Sequence, residues 1–309
     1  MKINCYYPIN PYEEQHVWCA NSIFEIVFEK LVALYPEISF QLIDSVEYSR
    51  KQGIHHHGFP GCKFGYHRMI IENSETKKYF VLNYYDTLNS IHKINGWDVD
   101  NIAEIFSSTG AHVDNVYYKE GGVKYTPSSY CLRTNLSERY LENNFIVEKS
   151  KLSLLFRGNT YLFREYIQND DRFDVRTDTI NELEYIKELQ ENFISLSLNG
   201  TGEICHRDIE SFASKCAVIR PQLTVKFHSP LVEDYHYIAV KTNDLYNLSV
   251  PEFYKELSNR IYSKYLEVKD NIEYLRYIAD NGYSWYKNNG TVISNVNILT
   301  KLINFNKLI

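Results

Sequence analysis

The sequence predicts an α/β protein built as two Rossmann-like domains that face a cleft. Short apolar, β-prone runs alternate with segments of helical period, the pattern of parallel βαβ units. The alternation runs in two series that divide near residue 150. In the second series, two apolar runs end in a glycine turn that leads at once into a helical pattern: LLFRGNTYLFREYI and LSLNGTGEICHRDIE. Ligands of such sheets sit at the carboxyl ends of the strands, where both glycine turns fall.

A chain of 309 residues suits one large or two medium domains. Hydrophobic residues make up 44% and charged residues 23%, enough to bury a sizeable core. A net charge of −6 without a basic block argues against nucleic acid as a partner. The 27 tyrosines fit either an AT-rich coding bias or sugar-stacking grooves, and composition admits both. Cys5, Cys19, Cys62, Cys131, Cys205 and Cys216 form no C-x-x-C pair, which speaks against a zinc framework or a dense disulfide scaffold. The first residues lack an apolar signal core, and no run of ~18 apolar residues occurs. The expectation is a soluble cytoplasmic protein, in the host cytoplasm if viral, with no integral membrane segment.

In order, residues 12–34 place Val17, Ala20, Ile23, Phe24, Val27, Phe28 and Leu31 at helical spacing between Pro11 and Pro36. Residues 38–43 read as a strand. A glycine-rich loop with His55, His56, His57 and His67 follows. Residues 69–72 and 79–85 read as strands around a polar turn. Residues 101–107 read as a short helix, 112–118 as a strand and 119–135 as loop. In the second series, residues 152–156 form a strand closed by Arg157-Gly158-Asn159, and a helix runs through Arg164 and Ile167. Residues 173–176 form a strand, and 181–192 a helix with Leu183, Ile186 and Leu189 on one face. The run 193–198 breaks at Asn199-Gly200-Thr201-Gly202 before a helix over 206–216. Residues 251–265, 271–288 and 292–308 finish the chain as helices.

The two strand–turn–helix motifs carry the candidate chemistry. A helix start exposes backbone N–H groups that hold a phosphate. Arg157, Arg164 and Arg207 could converge on one diphosphate, whose charge grows as it leaves. The alternative is an ordinary turn with solvated arginines, since short glycine motifs recur by chance.

Residues 152–289 also resemble the family-ninety glycosyltransferases, the capsule-associated and protein O-glucosyl- and O-xylosyltransferase type. That family shows an arginine-glycine turn with a downstream arginine, and a second strand-turn whose arginine opens a helix. A P-W-x-H-Y-x-P-V run and an I-A-x-x-G helix follow. Here these stand as FRGNTYLFR, LNGTGEICHR, VEDYHYIAVKTNDL and IADNGYSWYKNN. Glu233-Asp234-Tyr235 replaces the proline and tryptophan, Ala239 replaces the second proline, and residues 1–150 carry no family motif. The resemblance implies a GT-B architecture: an acceptor domain over 1–150, a nucleotide-sugar domain over 151–290, and a last helix, 291–309, crossing back to the first domain. It implies an inverting hexosyl- or pentosyltransferase that needs no metal and draws on a donor such as a UDP-sugar, with a glycan or protein acceptor. By residue match, Arg157, Gly158, Arg164, Asn199, Gly200, Gly202 and Arg207 would line the donor site. His236 and Tyr237 would lie on the following strand.

An inverting transfer needs one base for the acceptor hydroxyl. Asp86, at the end of a predicted strand, either serves as that base or caps a turn; Glu72 is the second carboxylate, and His57 the remaining candidate. The histidine cluster suits an acceptor-side loop, a plain surface loop or a metal site. Adjacent histidines on an extended chain point to opposite sides, so the three cannot simply share one ion. Two other readings stay open. One is a non-catalytic sugar- or nucleotide-binding module. The other is a metal-dependent GT-A transferase using Asp98-Val99-Asp100.

Overall fold

The computed structural model describes residues 1–7, 21–45, 47, 68–84, 99–108, 111–112, 125–131, 148–158, 165–200 and 203–309. The chain forms two compact units. The first combines Met1–Ser137, Val225–Ser229 and Thr291–Ile309; the second combines Glu138–Thr224 with Pro230–Gly290. No helix among the described residues is long and apolar enough to cross a membrane.

The first unit contains β1 (Lys2–Tyr7), α1 (Asn21–Leu34), β2 (Ser39–Asp44), β3 (Arg68–Asn73), β4 (Tyr79–Asn83), β5 (Ile102–Ser107), β6 (Ala111–His112) and β7 (Tyr125–Pro127). Its sheet runs β2-β1-β3-β4-β5-β7. β1 is parallel to β2, and β4, β5 and β7 are parallel to one another, while β3 runs antiparallel to both of its neighbours. Ile23, Phe24, Val27 and Leu31 recur at helical spacing on α1 and are buried in the core. A second short ladder joins β6 to β12 (Val225–Lys226), antiparallel.

Residues 102–107, expected as helix, are strand β5, and the expected loop at 119–135 contains strand β7. Ile102, Ile105 and Phe106 mimic a helical period. Flanked by parallel neighbours inside the sheet, β5 is buried on both faces, so it shows no alternation to betray it.

The second unit carries β8 (Leu155–Arg157), α2 (Glu165–Gln168), β9 (Asp174–Arg176), α3 (Glu182–Glu191), β10 (Ile194–Leu196), α4 (His206–Ala213), β11 (Ala217–Pro221) and β13 (Ile238–Val240). α5 (Val250–Val268), α6 (Ile272–Trp285) and a π-helical turn, Tyr286–Gly290, close it. The five strands are all parallel in the order β13-β11-β10-β8-β9. Counted from β8, this is the doubly wound order 2-1-3-4-5, and its direction reverses between β8 and β10. The α/β class expected from the sequence is the class observed.

α3 shows how local sequence sets an element. Asn181 Oδ1 accepts from Glu184 N at 3.0 Å, and Glu184 Oε2 accepts from Asn181 N at 3.3 Å, a reciprocal cap. Ile186 and Leu189 are buried, but Leu183 is 53% exposed, so only two of the three residues assigned to one face reach the core. β8 begins at Leu155 and takes in Arg157, which was expected to close the strand as a turn. α7 (Val292–Leu302) belongs to the first unit, where Val292, Val296 and Leu299 join the α1 core.

Candidate functional site

The point where strand order reverses in a doubly wound sheet leaves a crevice outside the carboxyl ends of the two flanking strands. Here those strands are β8 and β10. Arg207, one residue into α4, reaches back over this point. Its Nε donates to the Arg157 carbonyl at 2.8 Å, and its guanidinium carbon lies 4.5 Å from the centre of the Phe156 ring. Gly158 leaves the room: a Cβ there would stand 2.3 Å from Arg207 Nη2. The two glycine motifs therefore meet physically, with the arginine of one resting on the strand end of the other.

Arg207 forms no ion pair with a carboxylate among the described residues, because its acidic neighbours are engaged elsewhere. Asp208 pairs with Arg220, Glu210 accepts from the Tyr185 hydroxyl at 3.1 Å, and Glu188 holds Arg157 and Arg176. A guanidinium that no carboxylate among the described residues pairs with, at a helix start, suits an anionic ligand.

Arg157 is differently employed. Its Nε and Nη2 grip Glu188 at 2.6 and 3.1 Å, and its Nη1 donates to the Asp178 carbonyl and carboxylate at 2.6 and 3.0 Å. The Glu188 hydrogen bonds hold the Arg157 guanidinium above its ordinary value. Its side chain braces β8 against α3, and its contribution to the crevice is the carbonyl that seats Arg207.

Asn199 and Gly200 follow β10 as irregular chain. Asn199 Oδ1 accepts from Arg220 Nη2 at 3.2 Å. A cavity of ≈ 140 Å³ opens along the same sheet edge. Leu198 and Asn199 line it after β10, Pro221 and Gln222 at the end of β11, Thr242 after β13, Tyr246 from the segment before α5, and Phe253 and Tyr254 from the first turn of α5. The Gln222 side-chain oxygen is buried there without a hydrogen-bond partner among the described residues. An apolar, aromatic pocket with a few placed polar groups is the usual make-up of a small-ligand site.

His236 and Tyr237 precede β13 instead of lying on it, at the amino end of the strand. His236 Nδ1 accepts from Val232 N at 2.8 Å, and burial lowers its pKa. The Tyr237 hydroxyl accepts from Leu223 N at 3.3 Å, and burial raises its phenol to about 12. Both brace the fold in the geometry seen here. Glu72 also has an interior task. It is buried and accepts from Asn4 Nδ2 at 3.2 Å and the Tyr6 hydroxyl at 3.0 Å. Its register partners, Asn4 and Tyr79, place it towards the amino ends of β1 and β4, away from the ligand-binding edge. Asp86, His57, Arg164, Gly202, the other loop histidines and Asp98 lie outside the described residues.

Arg220 was missed. It is fully buried, as is its partner Asp208, with Nη1 to Oδ1 at 2.6 Å. The available signal was a charged residue inside the apolar strand run AVIRP, which a buried strand tolerates only with a partner.

No family model and no curated protein matches the chain. Solved structures superpose on it, among them two glycosyltransferases. One is the C-terminal domain of a glycosyl transferase group 1 family protein (LpcC) from Francisella tularensis, at 18% identity and a TM-score of 0.28, covering 40% of this chain. The chain spans 56% of that domain's length. The other is a glycosyltransferase from Rickettsia africae, at 11% identity and a TM-score of 0.41, covering 95% of this chain and 83% of that one. At these scores neither neighbour bears on the chemistry.

Proposed function

We propose that the protein is a glycosyltransferase that binds a nucleotide-sugar at the carboxyl edge of the second unit's sheet. The observation that carries this is the seat of Arg207: at the strand-order reversal, at a helix start, held on Phe156 and the Arg157 carbonyl, and without an ion pair to a carboxylate among the described residues. Such a group stabilises the charge that develops on a departing diphosphate. The cavity beside it supplies apolar walls for the rest of the donor, and Gln222 offers an amide to a polar edge. The resemblance stated above adds the finer reading. On it, the chain is an inverting, metal-independent hexosyl- or pentosyltransferase of GT-B type using a UDP-sugar, with a glycan or protein hydroxyl as acceptor and Asp86 or His57 as base.

A thermal-shift and hydrolysis panel of UDP-, GDP- and TDP-sugars, with and without EDTA, tests this. One nucleotide should raise the Tm and release its diphosphate slowly at equal rates with and without chelator. A strong loss with EDTA would overturn metal independence; a flat panel from folded protein would overturn the donor. Arg207→Ala should lower kcat/KM for the donor by roughly 10²–10³ with the fold intact. A variant that turns over normally would remove this turn from the diphosphate site.

A further inference from the structure

Arg220 is fully buried, and Asn199, Glu203 and Cys205, on the way from β10 to α4, are fastened to it directly or through Asp208. Its Nη1 holds Asp208 Oδ1 at 2.6 Å, its Nη2 donates to the Glu203 carbonyl at 2.5 Å and to Asn199 Oδ1 at 3.2 Å, and its Nε to the Pro221 carbonyl at 3.2 Å. Asp208 passes the hold onward: its Oδ2 accepts from Cys205 N at 2.8 Å. Glu203 is tied in turn to Thr224, whose backbone N–H it accepts at 2.7 Å and whose hydroxyl it also binds. One buried guanidinium thus grips Asn199, Glu203 and the first turn of α4, the helix that carries Arg207. It also engages Asp208, a carboxylate next in sequence to Arg207 that would otherwise oppose an anion at this helix start.

We infer that Arg220 is a positioning residue for the anion site: with Asp208 it fixes Asn199, Glu203 and Cys205 ahead of α4 and leaves Arg207 available to the ligand. A purely packing role would look different. A buried ion pair can be exchanged for apolar side chains of similar volume at little cost to stability. Packing alone therefore does not require a fork that ties its own strand to the segment after β10 and to a helix. Positive charge bound through a rigid, planar fork is what a preformed site requires, since donors fixed before binding cost no reordering afterwards.

The inference rests on the Arg207 reading, and the experiment separates the two. Arg220→Lys keeps the charge but loses the fork. The double variant Arg220→Met with Asp208→Leu removes both charges while filling the volume. Each is compared with Arg207→Ala for Tm, and for KM and kcat with the nucleotide-sugar that the panel identifies. The expected result is a double variant with a near-native Tm and a KM raised at least about tenfold, with the smaller change in kcat. A folded double variant, or a folded Arg220→Lys, with native KM beside a crippled Arg207→Ala would overturn this inference alone. A normal Arg207→Ala would overturn the site reading first, and this inference with it. Hydrogen exchange on the unaltered protein, without donor, keeps the question decidable if the variants do not fold. The peptide spanning 203–208 should be as protected as β11, and free exchange until the nucleotide-sugar is added would sink the idea.

Discussion

Arg207 keeps its place through features that a different cation would not reproduce. A lysine has no plane to lay on Phe156 and no fork to spare once one donor has gone to the Arg157 carbonyl. Arg207→Lys should therefore resemble Arg207→Ala in donor kinetics, and a lysine variant with native kcat/KM would show that charge alone suffices. Gly158→Ala probes the same seat from beneath. The added Cβ meets only the tip of a flexible side chain, so the fold should hold. The guanidinium must leave its perch, however, and kcat/KM for the donor should fall at least about tenfold, ~1.4 kcal/mol of barrier, with the Tm nearly unchanged. The sequence made Arg207 and Gly158 readable because each stands in a strand–glycine–helix motif. It could not show that they touch. Nor could it show that Arg157 is drawn away by Glu188, 31 positions on, or that Arg220 has its counterion on the preceding helix. Partners that come from different elements leave no local trace.

Among the elements, α3 and β5 mark the two limits of what a local pattern conveys. α3 announces itself through Asn181 and its reciprocal cap, and its bounds come within a residue of expectation. β5 disguises itself because Glu104 sits in its middle like the polar residue of an amphipathic helix. That carboxylate is buried against Thr126 and Lys307, partners 22 and 203 residues away. The packing of α6 on α4 depends on Gly282, where a Cβ would stand 2.7 Å from the Phe212 ring and 3.0 Å from the His236 carbonyl. Gly282→Ala should cost about 1–3 kcal/mol, read as a lower Tm. The loop after α2 is clasped to α5: Asp170 accepts from Arg172 at 2.8 and 2.5 Å and from the Ser258 hydroxyl at 2.6 Å. Hydrogen bonds from Arg172, above all, hold the Asp170 carboxyl at about 2, against an ordinary 3.8. A lowered native value means that the stabilisation is complete above the unfolded value and is lost as pH falls through the native one. The Tm should thus drop on acidification from about pH 4 towards pH 2, and Asp170→Asn should drop less over that range. An equal drop would assign the acid sensitivity to other carboxylates.

Taken whole, the chain makes its first unit from sequence-distant pieces. α7 packs on α1, and the Leu308 carbonyl accepts from Asn73 Nδ2 at 3.1 Å and the Thr76 hydroxyl at 2.6 Å. Leu299, fully buried in that shared core, should cost about 2–5 kcal/mol when cut to alanine. Thermal unfolding should show the loss in the transition of the first unit, leaving that of the second in place. A single common shift would mean that the two units melt together. During synthesis this arrangement imposes an order. At 5–20 residues per second, roughly 10–30 s separate the emergence of residue 137 from that of residue 309. The second unit needs nothing made after Gly290, while the nascent first unit waits on the ribosome with the α7-facing side of α1 uncovered. Trigger-type chaperones, which bind such apolar surfaces, should find their main client segment in the earliest part of the chain.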